Sequence, residues 1–284
     1  MDGAEKKKGN LRSNNNGKHR GDSGSAKHRA SSSEEREALS ESVVVGRNAV
    51  RELLKSGRSI DKIFVKSGTR EGSLTVIVAD AIAKKIPVVE VAQEKLDNLS
   101  CGTNHQGVVA MAAEKEYTDI DGILAIAEER GETPLVVVCD GIEDPHNMGA
   151  IIRCAECAGA HGIIIPKRRN VGITATVSKA SAGALEHMAI AKVTNVSQAI
   201  DDLKKKGLWI FAAEAGGAAY YETDFNTPAA IVLGSEGFGV GKAIKDKSDF
   251  IVSIPMYGKV NSLNVSTAAS VLLCHAARMQ REGK

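Results

Sequence analysis

Ile251–Ala269 reads IVSIPMYGKVNSLNVSTAA, and the rest of the chain is best read outward from it. With Phe250 before it, the start is apolar and predicts a short strand, Phe250–Ile254. Pro255 has no N–H to give a central ladder, so the strand stops there. A polar loop follows, Tyr257–Asn261, and a long apolar helix begins at Ser262–Ser266. Serines and asparagines gathered at a helix start cap it and leave main-chain N–H groups facing a ligand. Two readings stand at this point. One is an ordinary capped connection; the other is the wall of a binding site, because α/β proteins place sites where strand ends feed helices.

Upstream lie Leu135–Asp140 (LVVVCD), Gly162–Pro166 (GIIIP), His187–Val193, Leu208–Ala213 and Ala229–Gly234 (AAIVLG). Most are nearly continuous apolar runs, as strands covered on both faces require. Helical patterns separate them: Gly149–Ala158, Thr176–Leu185, Ser197–Lys206, Lys242–Asp246 and Asn264–Gln280. Alternating strands and helices predict an α/β fold with a parallel sheet over 134–284. A second, small α/β module spans 42–113. Order begins near Val43; a helix follows within GRNAVRELLKSG, where Val50, Leu53 and Leu54 recur at helical spacing and Gly57 is the C-cap, with further helices at Leu74–Lys84 and Gln93–Leu99 and strands at Ile60–Val65, Ile86–Val91 and Val108–Ala113. The charged stretch 114–133 reads as a linker with a helix at Ile120–Glu129.

The chain has 284 residues and a formal net charge of +2, unevenly placed. Residues 1–30 carry eight Lys or Arg against three acidic residues, without an apolar pattern. Such a segment cannot offset its ordering entropy, so 1–41 reads as a disordered basic tail. It is either a solvated tail or a phosphate-binding arm. No apolar run reaches transmembrane length, and no secretory signal opens the chain. Five cysteines suggest no disulfide framework. These features predict a cytoplasmic protein.

Several familiar chemistries fail on inspection. Gly239–Ile244 (GVGKAI) has the Gly-Lys of a phosphate loop, but Glu236 replaces its first glycine and Ala243 its hydroxyl. The turn after Leu135–Asp140 is DGIEDPHNMG and lacks the dinucleotide glycines. There is no GxSxG elbow. Cys154 and Cys157 have CxxC spacing but sit mid-helix without a second pair, so no metal is expected. His146 is either an acid–base group or a solvated turn residue.

Three loops remain, each after an apolar strand. Asp140–Arg153 (DGIEDPHNMGAIIR) is turn-rich, and Asn147 reads as the N-cap of the following helix. Arg153, about one and a half turns further on, reaches a phosphate or pairs with a carboxylate. Leu233–Gly241 (LGSEGFGVG) has more glycines than a turn needs and one acid, Glu236. The third loop is that of the opening stretch, Ile251–Ala269. Three such loops on adjacent strand ends converge on one pocket.

The patterns N-x-G-x-x-x-R at Asn147–Arg153, G-x-E-G-x-G at Gly234–Gly239 and IPM…SLNVS at Ile254–Ser266 resemble the three motifs of the SpoU/TrmH family. These are S-adenosylmethionine-dependent RNA ribose 2′-O-methyltransferases of the SPOUT class. VGRNAVRELL at Val45–Leu54 and NHQGVVA at Asn104–Ala110 are similar to the family's substrate-binding domain, most of all in its 23S rRNA guanosine subgroup. The resemblance implies a trefoil-knotted catalytic domain, a homodimer, and S-adenosyl-L-methionine as methyl donor without a metal. It implies a donor site at Gly234, Ile254 and Leu263, with Leu233, Gly237 and Met256 beside them. Ser181–Ala184 resembles a supporting motif. It assigns catalysis to Arg153, with Asn147, Glu236, Ser262 and Asn264 positioning it or the substrate. RNA contacts are expected at Arg47, Arg51, Lys167, Arg168 and Arg169. The expected substrate is 23S rRNA, with tRNA as the alternative and a non-catalytic RNA-binding scaffold as a second.

Overall fold

The structure, a computed structural model, describes residues 42–68 and 72–282. The basic tail at 1–41 lies outside the described residues. The front module is a four-stranded sheet made of β1 (Val43–Val45), β2 (Ile60–Lys66), β3 (Val88–Val91) and β4 (Val108–Ala112), in the order β1-β4-β2-β3. β4 runs antiparallel to β1 and β2, while β2 and β3 are parallel. Its helices are α1 (Arg47–Ser56), α2 (Ser73–Ala83) and α3 (Gln93–Leu99). Val50, Leu53 and Leu54 recur at helical spacing on α1 and bury against Ile63, Val65 and Ile77.

The second sheet has six strands: β5 (Leu135–Asp140), β6 (Gly162–Pro166), β7 (Ala189–Val193), β8 (Trp209–Ala219), β9 (Ala229–Gly234) and β10 (Phe250–Ser253). Their order is β10-β8-β9-β5-β6-β7, and every neighbouring pair is parallel. The helices are α4 (Ile120–Arg130), α5 (Pro145–Ala158), α6 (Ala175–Ala180), α7 (Val196–Lys205), α8 (Lys242–Lys245) and α9 (Val265–Glu282). One face of the sheet packs Val137, Cys139, Ile231 and Leu233 against Met148 and Ile152 of α5 and Leu273 of α9. The other packs Val136, Val138 and Val232 against Ile200 and Leu203 of α7. Two buried faces explain why these strands read as unbroken apolar runs. From β5 the chain builds β6 and β7 on one side, then crosses to the other. The strand order therefore reverses between β5 and β9, where Asp140 is in register with Gly234. Such a reversal leaves a crevice beyond the carboxyl ends of the strands.

Four local readings change. Helix α5 starts at Pro145, not Gly149. Asp144 is its N-cap and accepts the His146 N–H at 2.9 Å, with Pro145 at the first helical position. Asn147 is thus inside the first turn, which frees its side chain from capping. Thr176–Leu185 is not one helix. α6 ends at Ala180, Ala182 (φ 53°) and Gly183 (φ 99°) turn left-handed, and a 3-10 turn takes Ala184–His187. A Cβ on Gly183 would lie 2.6 Å from the Glu52 side chain, so only glycine fits that turn. β8 runs on to Ala219. Its pairing with β10 slips from Ile251–Ala212 to Val252–Ala218, so Ala213–Gly216 bow away from the ladder while Gly217 stays against β10. Finally, α4 is packed rather than a free connector: Ile123 is buried against the sheet, above a glycine, Gly162, whose Cβ would meet it at 2.6 Å.

The front module packs on the larger domain through charged pairs. Arg58 Nη1 donates to both Glu186 oxygens at 3.1 and 3.4 Å, and His187 Nε2 lies 3.0 Å from Glu52. Lys179 donates to the Asn104 carbonyl.

Candidate active site

Three strand ends deliver three side chains to one point. β5 leads into α5, which presents Asn147. β9 leads into the glycine loop carrying Glu236. β10 leads through Pro255 to Asn264, the residue before α9. Asn147 Nδ2 donates to Glu236 Oε1 at 2.9 Å. Asn264 Nδ2 donates to the same oxygen at 2.8 Å and to Asn147 Oδ1 at 2.9 Å. The three close a ring. Asn264 Oδ1 meanwhile accepts the Ser266 N–H at 2.9 Å and the Ser266 hydroxyl at 2.6 Å. Capping α9 therefore fixes which way the Asn264 amide points, and its N–H groups have only the ring to address.

The glycine loop is held from below. Ser235 and Gly239 exchange two main-chain hydrogen bonds at 3.1 and 3.0 Å. Glu214, on the bowed part of β8, accepts the Val240 N–H at 3.0 Å, and Asp140 accepts the Gly241 N–H at 2.8 Å. Those two amides are taken by protein carboxylates, which is why this lysine-bearing turn is no phosphate loop. A Cβ on Gly234 would lie 2.1 Å from the main chain of Gly239, so the close passage of the two segments requires glycine.

Two cavities adjoin this ring. The inner one, about 610 Å³, is lined by Leu233, Gly234, Gly237, Ile254, Met256 and Leu263, and also by Glu214, Glu236, Ser262 and Asn264. All six residues expected to form a donor site are in its wall. The outer cavity, about 670 Å³, is lined by Asp140, Asn147, Arg168, Arg169, Glu236 and Phe238, among others. Glu236 and the Ser235–Gly239 hairpin form the partition between the two.

Other expected residues lie elsewhere. Arg153 is exposed and lines neither cavity. Six residues past Asn147, it points about 240° around α5. There its positive charge opposes burial and Glu156, which together push the Cys157 thiol upward. Arg47 is not a free RNA contact: its Nε donates to the Gln106 carbonyl at 2.9 Å and its N–H to Gln106 Oε1 at 3.1 Å, tying α1 to the Cys101–Gly107 loop. Arg51 and Lys167 are exposed. Ser181 is fully buried and donates to the Ser178 carbonyl, a packing role beneath α5. His146 is likewise outside both cavity walls. Glu214 and Asp140 were not anticipated. Glu214 had a signal, being the single acid within AAEAGGAA.

The family model for the SpoU rRNA methylase family matches residues 134–274, and that for RNA 2′-O ribose methyltransferase substrate binding matches 43–118. A TrmH-family tRNA/rRNA methyltransferase of Bacillus subtilis, YacO, is 44% identical over 236 residues, 83% of this chain and 94% of its own. A crystal structure of an RNA 2′-O ribose methyltransferase superposes with TM-score 0.71 at 26% identity, over 90% of this chain and 92% of its own. An AdoMet-bound rRNA methyltransferase from Sinorhizobium meliloti superposes with TM-score 0.69 at 25% identity, over 89% and 90%.

Proposed function

The chain belongs to the SpoU family of RNA 2′-O-ribose methyltransferases, and from that premise we propose that it methylates the ribose 2′-hydroxyl of a guanosine in 23S rRNA, with S-adenosylmethionine as donor. The observation that carries this reading is the Glu236 carboxylate, held by Asn147 and Asn264 in the partition between two cavities. A partition of that kind lets a donor on one side meet an acceptor on the other.

The inner cavity suits the donor. Leu233, Ile254 and Leu263 offer apolar wall for an adenosine, and the glycines at 234 and 237 offer main chain at close range. Glu214 and Glu236 place negative charge near a sulfonium cation. Bound there, S-adenosylmethionine supplies an electrophilic methyl group, and its leaving group needs no acid.

The chain's own residues then have to position the ribose and exclude water. Asn147 and Asn264, locked through Glu236, fix the partition against which the ribose rests. Ser262 faces the same space from the inner wall. Arg168 and Arg169 offer guanidinium groups to phosphates in the outer cavity. Arg153 stabilises the developing alkoxide electrostatically, because a guanidinium stays charged and cannot serve as a base. The proton passes to a phosphate oxygen or to water.

Arg153 lies outside the cavities of its own chain, so this role belongs to a homodimer in which one copy completes the other's site. The exposed faces of α5 and α9 would form that interface. Threading of the segment after β10 into a trefoil knot, and a cytoplasmic location, belong to the same proposal. A second substrate reading, tRNA, comes from the name of the Bacillus relative, which gives tRNA and rRNA side by side. Transfer of labelled methyl from S-adenosylmethionine to unmodified ribosomal RNA and to unmodified tRNA separates the two. Transfer to neither would remove the methyltransferase reading.

A further inference from the structure

Phe238 sits at the tip of the glycine hairpin and is 92% exposed. Its position is fixed despite that exposure. Gly237 (φ 94°) and Gly239 (φ 65°) make the turn, the Ser235–Gly239 pair closes it, and Glu214 anchors its far end through Val240. A Cβ on Gly239 would fall 2.5 Å from Glu214, so the anchor also demands glycine. A large apolar ring carried into solvent on a pinned hairpin serves no packing among the described residues.

The surroundings say what it is for. Phe238 lines the outer cavity together with Arg168 and Arg169. Neither arginine is in an ion pair among the described residues. Arg169 holds a left-handed backbone (φ 57°), and the next residue, Asn170, accepts the Ile142 N–H at 2.9 Å, which ties this loop to the one after β5. Strained, pinned backbone carrying a free cation is a feature of ligand sites. An aromatic ring and two guanidinium groups in the wall of one cavity fit a nucleotide, base on ring and phosphate on cation.

We propose that Phe238 is a stacking platform for a base of the substrate RNA, at or next to the methylated nucleotide. This rests on the RNA methyltransferase reading above. A phenyl face accepts any base, so Phe238 contributes affinity and position, while sequence choice comes from elsewhere.

The test is steady-state methyl transfer to deproteinised ribosomal RNA from cells lacking this protein. Phe238→Ala and Phe238→Leu should each raise the RNA KM about ten-fold, within the range measured for loss of one base–aromatic stack. Affinity for S-adenosylmethionine should stay at the wild-type value. Phe238→Trp should restore KM, and its added indole should be quenched by RNA beyond any change at Trp209, the chain's one natural tryptophan. Wild-type KM in Phe238→Leu would overturn the proposal, since apolar bulk would then suffice. So would loss of dimer mass in Phe238→Ala, which would make the ring a contact between copies. An inactive wild type would overturn the methyltransferase reading itself and the stacking role with it, whereas an active wild type with unaffected variants overturns the stacking role alone.

Discussion

Asn264 donates to Glu236 Oε1 at 2.8 Å across 28 residues of chain, while its own side-chain oxygen caps helix α9. One side chain thus ends a loop, starts a helix and closes the site's polar ring. Two readings of Ile251–Ala269, a helix cap and a pocket wall, meet in one side chain: Asn264 caps α9 and lines the inner cavity.

Those two duties separate by substitution. Asn264→Ala removes both, and should cost about 1 kcal/mol of stability for the lost cap. Its methyl-transfer rate should fall roughly a hundred-fold, as when a positioned donor is removed from an active site. Asn264→Asp keeps the capping oxygen but loses the N–H donors and sets a carboxylate against Glu236. Turnover should be lost, and its melting temperature should recover toward wild type only as pH falls and the two carboxyls share a proton. Thermal melts and labelled methyl transfer on the same preparations read both effects.

Gly234→Ala should fold yet bind the donor poorly. The added Cβ would fall 2.1 Å from Gly239 and push the hairpin away from the inner cavity. Overpacking of this kind costs about 1–3 kcal/mol, so affinity for S-adenosylmethionine should drop roughly ten-fold or more. Calorimetric titration measures it, and an unchanged affinity would mean that the loop yields without loss.

Arg153 offers a test of assembly. Arg153→Lys should retain RNA binding but lose most turnover, because a point charge cannot replace a planar fork. Arg153→Ala and Asn264→Ala should each be inactive as pure dimers. Co-expressed in equal amounts, they should regain roughly a quarter of the wild-type rate, since half the dimers would carry one intact site. No recovery would place Arg153 in its own chain's site.

Much of the fold was legible because its signals are local. β5, β6 and β9 fall on their apolar runs to the residue, since burial on both faces leaves no polar position to blur the ends. The start of α5 was misread although Asp144 and Pro145 spelled a cap followed by a first helical proline. The bow in β8 had no apolar signature, since the run read as a strand ends at Ala213 and EAGGAA follows. In the fold Gly217 stays beside β10: a Cβ there would lie 2.3 Å from the Ile251 carbonyl. Of the site, the convergence of three loops was readable from strand ends. The two cavities, the Glu214 anchor and the outward direction of Arg153 depend on contacts distant in sequence and had no local signature.

Acid should weaken the fold partly through His161, which is 3% exposed. Its Nδ1 accepts the Leu135 N–H at 3.0 Å, so the neutral ring is the one that fits, with Nε2 3.0 Å from Glu132. Burial holds its pKa below the usual 6.5 despite Glu132. The unfolded chain therefore binds the proton more readily. Its contribution is complete above pH about 6.5 and declines as pH falls toward the folded value. Urea midpoints should drop from pH 7.5 to 5.5, and drop less in His161→Gln. An equal drop in both would assign the effect to other groups.

The central claim is that this chain methylates a ribose in ribosomal RNA, and mass-spectrometric mapping of ribose methylation tests it most directly. RNA from cells with and without the protein should differ by one 2′-O-methylguanosine in 23S rRNA, restored by the wild-type gene and not by Asn264→Asp. Identical ribose methylation of ribosomal and transfer RNA in the two strains would contradict it.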